Sequence, residues 1–194
     1  MSPLSVPPVP IAHTDPAATV RVTNRLSGYF KALPPGRRIA VVCIGTDRCT
    51  GDALGPLTGS LLSKYRSPSF DLFGTLENPV HAMNLDDTLE RLNRTIDDPF
   101  VIGIDACLGT VASIGAVLVG DGPLRPGAGV NKTLSPVGDI HISGVVNVGG
   151  LFAYHVLQNT RLHLVMSMAS LISRSLFVAI SVSSRGRQDN VANP

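Results

Sequence analysis

The stretch Ile39-Ala40-Val41-Val42-Cys43-Ile44, followed by Gly45, decides how this chain is expected to fold. A second apolar stretch of the same kind, Phe100-Val101-Ile102-Gly103-Ile104, ends on Asp105. Short uninterrupted apolar runs are typical of parallel strands that are buried on both faces. In open α/β sheets, ligands and reacting groups collect at the carboxyl ends of such strands. Asp105, and Asp52 shortly after the first stretch, are therefore predicted to point into one crevice.

Strand-like and helix-like segments alternate along most of the chain. This alternation predicts a three-layer α/β/α sandwich around a mixed, mostly parallel sheet of about five strands. We expect residues 1–37 to form an N-terminal tail and a short helix, residues 38–184 a single domain, and residues 185–194 a C-terminal tail. The predicted helices cover residues 16–32, 50–65, 85–92 and 161–182, and the predicted strands residues 39–44, 70–76, 100–105, 114–119 and 139–147.

The composition excludes several classes of protein. The chain has 194 residues, of which 44% are hydrophobic and 15% charged, which is typical of one globular domain and not of a disordered chain. The net charge of +2 is weak and scattered and Trp is absent, so nucleic acid is not an expected partner. The three cysteines contain no CxxC pair, which argues against a structural zinc site and against a secreted disulfide framework.

The stretch from Leu162 to Val182 is apolar enough to raise the question of a transmembrane helix. Arg174 lies in its middle and would cost about 2.5–3.5 kcal/mol on membrane-insertion scales. Serines recur every third residue from Ser167 to Ser173, which instead predicts an amphipathic helix with one face on a core. We therefore expect a soluble, cytoplasmic protein with no membrane partner. Because part of this apolar helix needs covering, we also expect a homo-oligomer.

Asp52 and Asp105 carry the chemistry that the sequence suggests. The segment Thr50-Gly51-Asp52 fits a helix start, where an acidic residue often only complements the helix dipole. Asp105 ends a buried strand, where a carboxyl group gains nothing from burial unless it has a partner. Two acids held close share a proton near neutral pH, so one can take a proton from water while the other polarises a carbonyl. Joined by a histidine, the same pair could instead bind a divalent metal.

Two histidines and a glycine-containing loop are further candidates for substrate binding. His81 follows Pro79 in a loop from which it could reach the crevice. His141 alternates with isoleucines and should point away from their face, where it is either an ordinary sheet residue or part of the site. The loop that contains Gly127, Gly129 and Asn131 lacks the ending and the position of a nucleotide-binding loop. Its glycines would instead allow a peptide to approach the backbone closely.

Several longer motifs in this chain resemble the YyaC family of sporulation proteins. The matching segments agree together over roughly residues 38–173, and they comprise residues 43–48, 50–56, 74–82, 104–109, 126–132 and 138–150. That family is similar in turn to the spore germination protease, an atypical aspartic endopeptidase that degrades small acid-soluble spore proteins. The resemblance places the two essential aspartates of that protease on Asp52 and Asp105, and its glycine-containing loop on residues 127–131.

The wider fold group includes the hydrogenase maturation endopeptidases. These carry a Glu at the position of Asp52, and they use it, an Asp like Asp105 and a His to recognise nickel. The resemblance therefore implies a phosphorylase/hydrolase-like sandwich and a spore-associated endopeptidase that acts on proteins or peptides without a cofactor, in the cytoplasm of a sporulating bacterial cell. Two alternatives are a nickel- or zinc-recognising endopeptidase that uses Asp52 and Asp105 with His81 or His141, and a sporulation factor without catalytic activity.

Overall fold

The computed structural model describes residues 9–127 and 134–189, and a mixed sheet with helices on both faces forms its centre. The strands are β1 (Ile11–Ala12), β2 (Ile39–Cys43), β3 (Phe70–Phe73), β4 (Phe100–Gly109), β5 (Ala116–Asp121) and β6 (Ile140–Val148). The helices are α1 (Ala18–Lys31), α2 (Leu54–Ser63), α3 (Leu85–Thr95), α4 (Ala153–Gln158) and α5 (Leu162–Asp189). Single 3₁₀ turns lie at Gly51–Ala53 and Val111–Ser113.

The sheet of the described residues has the strand order β1-β5-β6-β4-β2-β3. Strands β6, β4, β2 and β3 are parallel to their neighbours in this series, whereas β5 and β1 add to one edge in antiparallel pairs. The predicted mixed and mostly parallel sheet is therefore confirmed. The predicted number of about five strands is one short, because Ile11 and Ala12, which were assigned to a tail, pair with Val117 and Ala116 of β5.

Strand β2 shows why an uninterrupted apolar run lies at the centre of this fold. Ile39, Val41 and Cys43 belong to the larger core cluster, which lies between the sheet and helices α1, α2 and α5. Ala40 and Val42 point to the opposite face and belong to the cluster that contains the apolar side of α3. Because both faces of the strand are covered, an alternation of polar and apolar residues is absent from it. The three-layer arrangement agrees with the sequence prediction.

Helix α1 belongs to the same core as the sheet, although its sequence was assigned to a region outside the main domain. Val22, Leu26 and Phe30 are fully buried and repeat at helical spacing along one side of the helix. They join the larger core cluster, in which α1 packs against α5. The domain boundary predicted at residue 38 therefore separates two parts that share one core.

Helix α5 contains the apolar stretch, Leu162–Ser184, that is long enough to cross a membrane, with a mean hydropathy of 1.7 over its most apolar window. Half of that window is buried within the chain, against α1 and α2. Met168 and Ile172 face the core as expected, but Ser173 is buried with them, so the serine stripe does not mark the solvent face along its whole length. Helices α1 and α2 of the same chain already cover part of the apolar surface of α5, and this surface was the reason for expecting a homo-oligomer. Light scattering tests whether the protein forms a homo-oligomer.

Helix α2 lies so close to the sheet that two of its glycines leave no room for a side chain. A Cβ atom at Gly59 would lie 1.9 Å from the carbonyl oxygen of Gly74, and one at Gly55 would lie 2.1 Å from that of Ile44. Gly28 in α1 differs, because a Cβ atom there would have no neighbour within 4 Å. The glycines of α2 thus set the distance between the helix and the strand ends, whereas Gly28 does not.

We expect Gly59→Ala to lower the free energy of unfolding by about 1–3 kcal/mol, because the added methyl group forces the helix away from the sheet. Gly28→Ala should raise it by up to about 1 kcal/mol, because alanine favours an exposed helix position more than glycine does. Urea denaturation of the two variants measures both effects. Equal stability of Gly59→Ala and the wild type would contradict the close approach of α2.

Candidate active site

The candidate site lies where the chain reverses its direction of winding across the sheet. Strand β2 has β3 on one side and β4 on the other, and it is parallel to both. Helix α2 connects β2 to β3 on one face, and α3 leads from β3 to β4 on the opposite face. The carboxyl ends of two strands that diverge in this way leave a crevice between them. The strand that precedes Asp52, β2, and the strand that carries Asp105, β4, are neighbours in the sheet, as predicted.

Asp52 lies in the 3₁₀ turn between β2 and α2, and its backbone is held against the end of the strand. The amide of Thr46 donates a hydrogen bond to the carbonyl oxygen of Asp52, at 3.1 Å. A Cβ atom at Gly45, which has φ of +140°, would lie 1.9 Å from the same oxygen. On the other side of the turn, a Cβ atom at Gly51 would lie 2.8 Å from the Leu157 side chain. These contacts fix the backbone from which the half-buried Asp52 reaches the crevice.

Asp105 lies on the face of β4 that is turned away from the larger core. Ile104 and Ile142 face the larger core, and the residues that alternate with them face the opposite side of the sheet. In the parallel pairing of β4 with β6, Asp105 is opposite Ser143. His141 precedes Ser143 by two residues and shares its face, as the alternation with the isoleucines predicts. The face of the sheet opposite the larger core therefore carries three neighbouring polar side chains, those of Asp105, His141 and Ser143.

Asp52 and Asp105 line one cavity of about 400 Å³. Its polar lining also includes Arg125, His141 and Ser143, and its apolar lining includes Leu108, Leu124 and Leu157. Asp105 is only 8% exposed, although it faces this cavity. The two aspartates thus line one space, in which Asp105 is shielded from most of the solvent.

The pKa of Asp105 lies well above its usual value of 3.8. Burial is the largest cause, since it penalises the charged carboxylate, and the negative charge of Asp52 adds to it. A hydrogen bond of 2.7 Å from the amide of Ala106 to Oδ1 of Asp105 acts in the opposite direction without outweighing these two causes. Asp105 therefore keeps its proton at pH values where an exposed aspartate is ionised.

The cysteines near the aspartates lack the features of a nucleophile. Burial, and then the charge of Asp105, raise the pKa of Cys107 to about 11, so its thiol is neutral at physiological pH. Burial also raises the pKa of Cys43, which lies in the core of β2. Cys49 is buried beside Asp52 in an adjoining cavity. The chemistry of the site therefore rests on its carboxyl groups.

His141 lines the aspartate cavity and also packs within the sheet. Its Nδ1 lies 3.0 Å from the carbonyl oxygen of Gly122, and because a carbonyl can only accept, Nδ1 carries the hydrogen of this bond. In the neutral ring, Nε2 is then an acceptor. The ring lies over Gly120, where a Cβ atom would be 2.6 Å from Nε2. His141 is therefore packed within the sheet and also lines the aspartate cavity, and its role in substrate binding stays a prediction.

The other predicted substrate-binding residues lie in different places. His81 lines an adjoining cavity of about 360 Å³ on the other side of Asp52, where its Nδ1 accepts a hydrogen bond of 3.3 Å from the amide of Met83. Gly127 lines the aspartate cavity itself. Gly129 and Asn131 lie outside the described residues. Only the beginning of the predicted loop is therefore placed at the site.

The alternative metal site does not form in the described part of the chain. There, no three His, Cys, Asp or Glu side chains lie close enough together to hold a metal ion. Asp52 and Asp105 share a cavity, but His81 lines a different one, and the Nδ1 atom of His141 is engaged by Gly122. The residues proposed for nickel or zinc therefore do not fit a metal centre in this arrangement.

Ser143, Arg125 and Leu157 also line the cavity, although none of them was predicted as a site residue. Ser143 is 8% exposed and could have been found from the alternation, since it follows His141 by two residues. Arg125 comes from the loop after β5 and brings a positive charge to the cavity, but a single arginine in a loop gives no sequence signal. Leu157 comes from α4 and looks like any other helix leucine. These residues reach the site through the packing of elements distant in sequence.

A scan against protein-family models matches residues 10–175 to the family described as "Protein of unknown function (DUF1256)". The chain belongs to this family. It is 51% identical to the "Uncharacterized protein YyaC" of Bacillus subtilis (strain 168) over 166 residues, which cover 86% of this chain and 80% of that protein. The sequence resemblance to the YyaC family is thus confirmed.

The fold is similar to that of a solved structure, the [NiFe] hydrogenase maturation protease HycI from Thermococcus kodakarensis KOD1. The two structures agree with a TM-score of 0.57 over 81% of this chain and 99% of the other. Their sequence identity is 17%, so the similarity concerns the fold. The chain therefore shares its α/β fold with that protein.

We expect Asp105→Asn to be more stable than the wild type at neutral pH. The folded pKa of Asp105 is raised, so its stabilising contribution is complete below the unfolded value of about 4 and is lost as the pH rises through the folded pKa. Asparagine can keep the hydrogen bond from Ala106 but does not ionise, so the variant avoids the loss of folding stability that ionisation of Asp105 causes. That loss is about 1.4 kcal/mol for each unit by which the folded and unfolded pKa values differ. Urea denaturation between pH 4 and 8 measures the change.

Asp97→Asn is the matched control for this experiment, since Asp97 is exposed and far from the cavity in the fold. It should change the pH dependence of stability little. A wild type and an Asp105→Asn variant with parallel stability curves would contradict the raised pKa.

We also expect Asp52→Asn to lower the pKa of Asp105, because it removes the negative charge that helps to raise it. The pKa should remain above 3.8, because burial is the larger cause and is unchanged. NMR titration of the Asp105 carboxyl carbon measures both effects. An unchanged pKa would show that the two carboxyl groups are not coupled.

Proposed function

We propose that this protein is an endopeptidase that hydrolyses peptide bonds with Asp52 and Asp105. One observation carries the proposal: the two carboxyl groups line the same cavity, and the charge of one raises the pKa of the other. Carboxyl groups whose environments separate their pKa values are suited to act as an acid and a base at the same pH. The endopeptidase-like fold supports the same reaction class by analogy.

The environments of the two residues suggest their roles. Asp105 is the more buried and holds its proton, so it acts as the general acid toward the oxygen of the scissile carbonyl. Asp52 acts as the general base and takes a proton from a water molecule, whose oxygen then bonds to the carbonyl carbon. When the carbon–nitrogen bond breaks, the leaving nitrogen takes the proton from Asp52. Asp105 recovers its proton from the hydroxyl group of the intermediate, so both residues return to their initial states.

The proposed substrates are proteins, and the resemblance to the spore germination protease points to small acid-soluble spore proteins. On this proposal the enzyme acts in the cytoplasm of a sporulating bacterial cell. A maturation-type endopeptidase that recognises nickel is less well supported, because the described residues do not assemble a metal centre. A sporulation factor without catalytic activity would keep the fold, and the experiment below distinguishes it from an enzyme.

The test is cleavage of purified small acid-soluble spore proteins by the wild type, Asp52→Asn and Asp105→Asn, followed by mass spectrometry. We expect the wild type to cut internal peptide bonds and each variant to lose at least about 100-fold in rate, since general acid–base catalysis contributes at least that factor. Asp97→Asn, an exposed aspartate away from the cavity, should cleave at the wild-type rate.

Equal cleavage by the wild type and both cavity variants would exclude the aspartate mechanism, but the protein would still be a peptidase. Absence of cleavage by folded wild type across pH and activation conditions would exclude the peptidase and leave the non-catalytic factor. A stability measurement on each variant ensures that lost activity does not reflect unfolding, and Asp105→Asn is expected to be the more stable protein.

A further inference from the structure

A second cavity, of about 360 Å³, lies beside Asp52 and differs in character from the cavity shared with Asp105. Its apolar lining comes from Ala82 and Met83 in the loop before α3, and from Tyr154 and Leu157 of α4. Its polar lining, Thr46, Arg48 and His81, lies with Asp52 in the same cavity. Met83 is 87% exposed and Tyr154 61% exposed, so the opening of this cavity presents large apolar groups to solvent. Within a soluble fold, apolar residues exposed together around a cavity mark a binding surface.

The two cavities meet at Asp52. Both Asp52 and Leu157 line the aspartate cavity and the apolar cavity, so no intervening element separates them. An extended polypeptide advances about 3.3 Å per residue. A chain whose reacting carbonyl lies beside Asp52 and Asp105 therefore places a neighbouring side chain at the apolar cavity. An apolar patch farther from Asp52 could not contact the side chain next to the reacting carbonyl.

The apolar cavity is positioned by the same contacts that position Asp52. Leu157 packs on Gly51 in the turn that carries Asp52. Helix α4 is anchored to the end of β6, since the side-chain amide of Asn147 donates hydrogen bonds of 3.2 Å to Val156 and Thr160. The helix that carries Tyr154 is therefore fixed relative to the turn that carries Asp52. On the other wall, Met83 is held by the hydrogen bond from its amide to His81.

We propose that this cavity is a specificity subsite, which takes a large apolar side chain of an extended polypeptide next to the bond that is cut. The inference rests on the proposed function and adds the class of substrate. Tyrosine offers a rigid apolar surface, and methionine adapts to different shapes, so together they suit phenylalanine, leucine or methionine better than a charged side chain. The exposed Leu151 and Phe152, next to Tyr154 in sequence, continue the apolar surface beyond the cavity.

The test uses fluorescein-labelled dodecapeptides of Gly, Ser and Gln with one central Phe, Leu, Ala, Lys or Glu. Their binding to Asp52→Asn, which is not expected to cleave them, is measured by fluorescence anisotropy, and their cleavage by the wild type is measured by mass spectrometry. We expect the Phe and Leu peptides to bind at least 10-fold more tightly than the Ala, Lys and Glu peptides. In the wild type, cleavage should occur next to the apolar residue.

Met83→Ser and Tyr154→Ala, each introduced singly, should reduce this preference at least fivefold. Both residues are exposed, so the fold should be retained. Val20→Ser is the matched control, because it removes a 59% exposed apolar residue from α1, a helix that lines neither cavity. It should leave the preference unchanged.

The outcomes separate this inference from the proposed function. Apolar preference in binding that Met83→Ser and Tyr154→Ala reduce supports this cavity as the place of the apolar side chain. If the wild type then cleaves no peptide, the peptidase proposal fails and the cavity binds a polypeptide that is not cut. Cleavage without regard to the central side chain overturns the subsite and leaves the peptidase. The subsite is also overturned if no peptide binds, or if both variants keep the full preference.

Discussion

The backbone contact between the Asp52 turn and the end of strand β2 is the constraint on which the candidate site depends. Gly45 and Gly55 bring the turn and the first residues of α2 to within van der Waals distance of the strand, at places where a single methyl group would collide with a carbonyl oxygen. The motif around Asp52 is therefore mainly a packing motif. Its glycines do not react, but they determine where the carboxyl group of Asp52 lies relative to β4 and to α4.

The second constraint is the separation of the two sheet faces. The larger core takes the isoleucines of β4 and β6, which leaves the opposite face of the same strands free for Asp105, His141 and Ser143. A buried aspartate beside another acid costs stability, and a fold tolerates such a cost where the rest of its core is well packed. Here the core clusters on both faces of β2 supply that packing. The same burial that weakens the fold makes Asp105 a proton donor.

The sequence was sufficient to predict the fold class and a crevice lined by both aspartates, because Asp52 follows β2 and Asp105 lies in the neighbouring parallel strand, just beyond the level at which β2 ends. It did not predict that β4 continues past Asp105 to Gly109. It was not sufficient to predict strand β1, because two residues are too few to show a strand pattern. It was also not sufficient to predict the burial of Ser173, because that burial depends on where α1 lies. His81 was placed in the crevice from its loop position, but only the three-dimensional path of the loop shows that it faces a neighbouring cavity. Met83, Tyr154 and Leu157 line that neighbouring cavity because α4 and the loop before α3 both lie beside the Asp52 turn, which no local pattern reveals.

The short strand β1 has a consequence for the behaviour of the chain outside its native state. Ile11 and Ala12 occupy the outer edge of β5, and the amide of His13 extends the pairing to Gly115. An uncovered strand edge offers unpaired backbone groups to other molecules and is a common starting point of aggregation. Few hydrogen bonds hold β1 in place, but Ile11 is also buried in the larger core, so exposing β5 requires this side chain to leave the core. Protection of the sheet edge against aggregation is thus tied to the packing of a single core side chain.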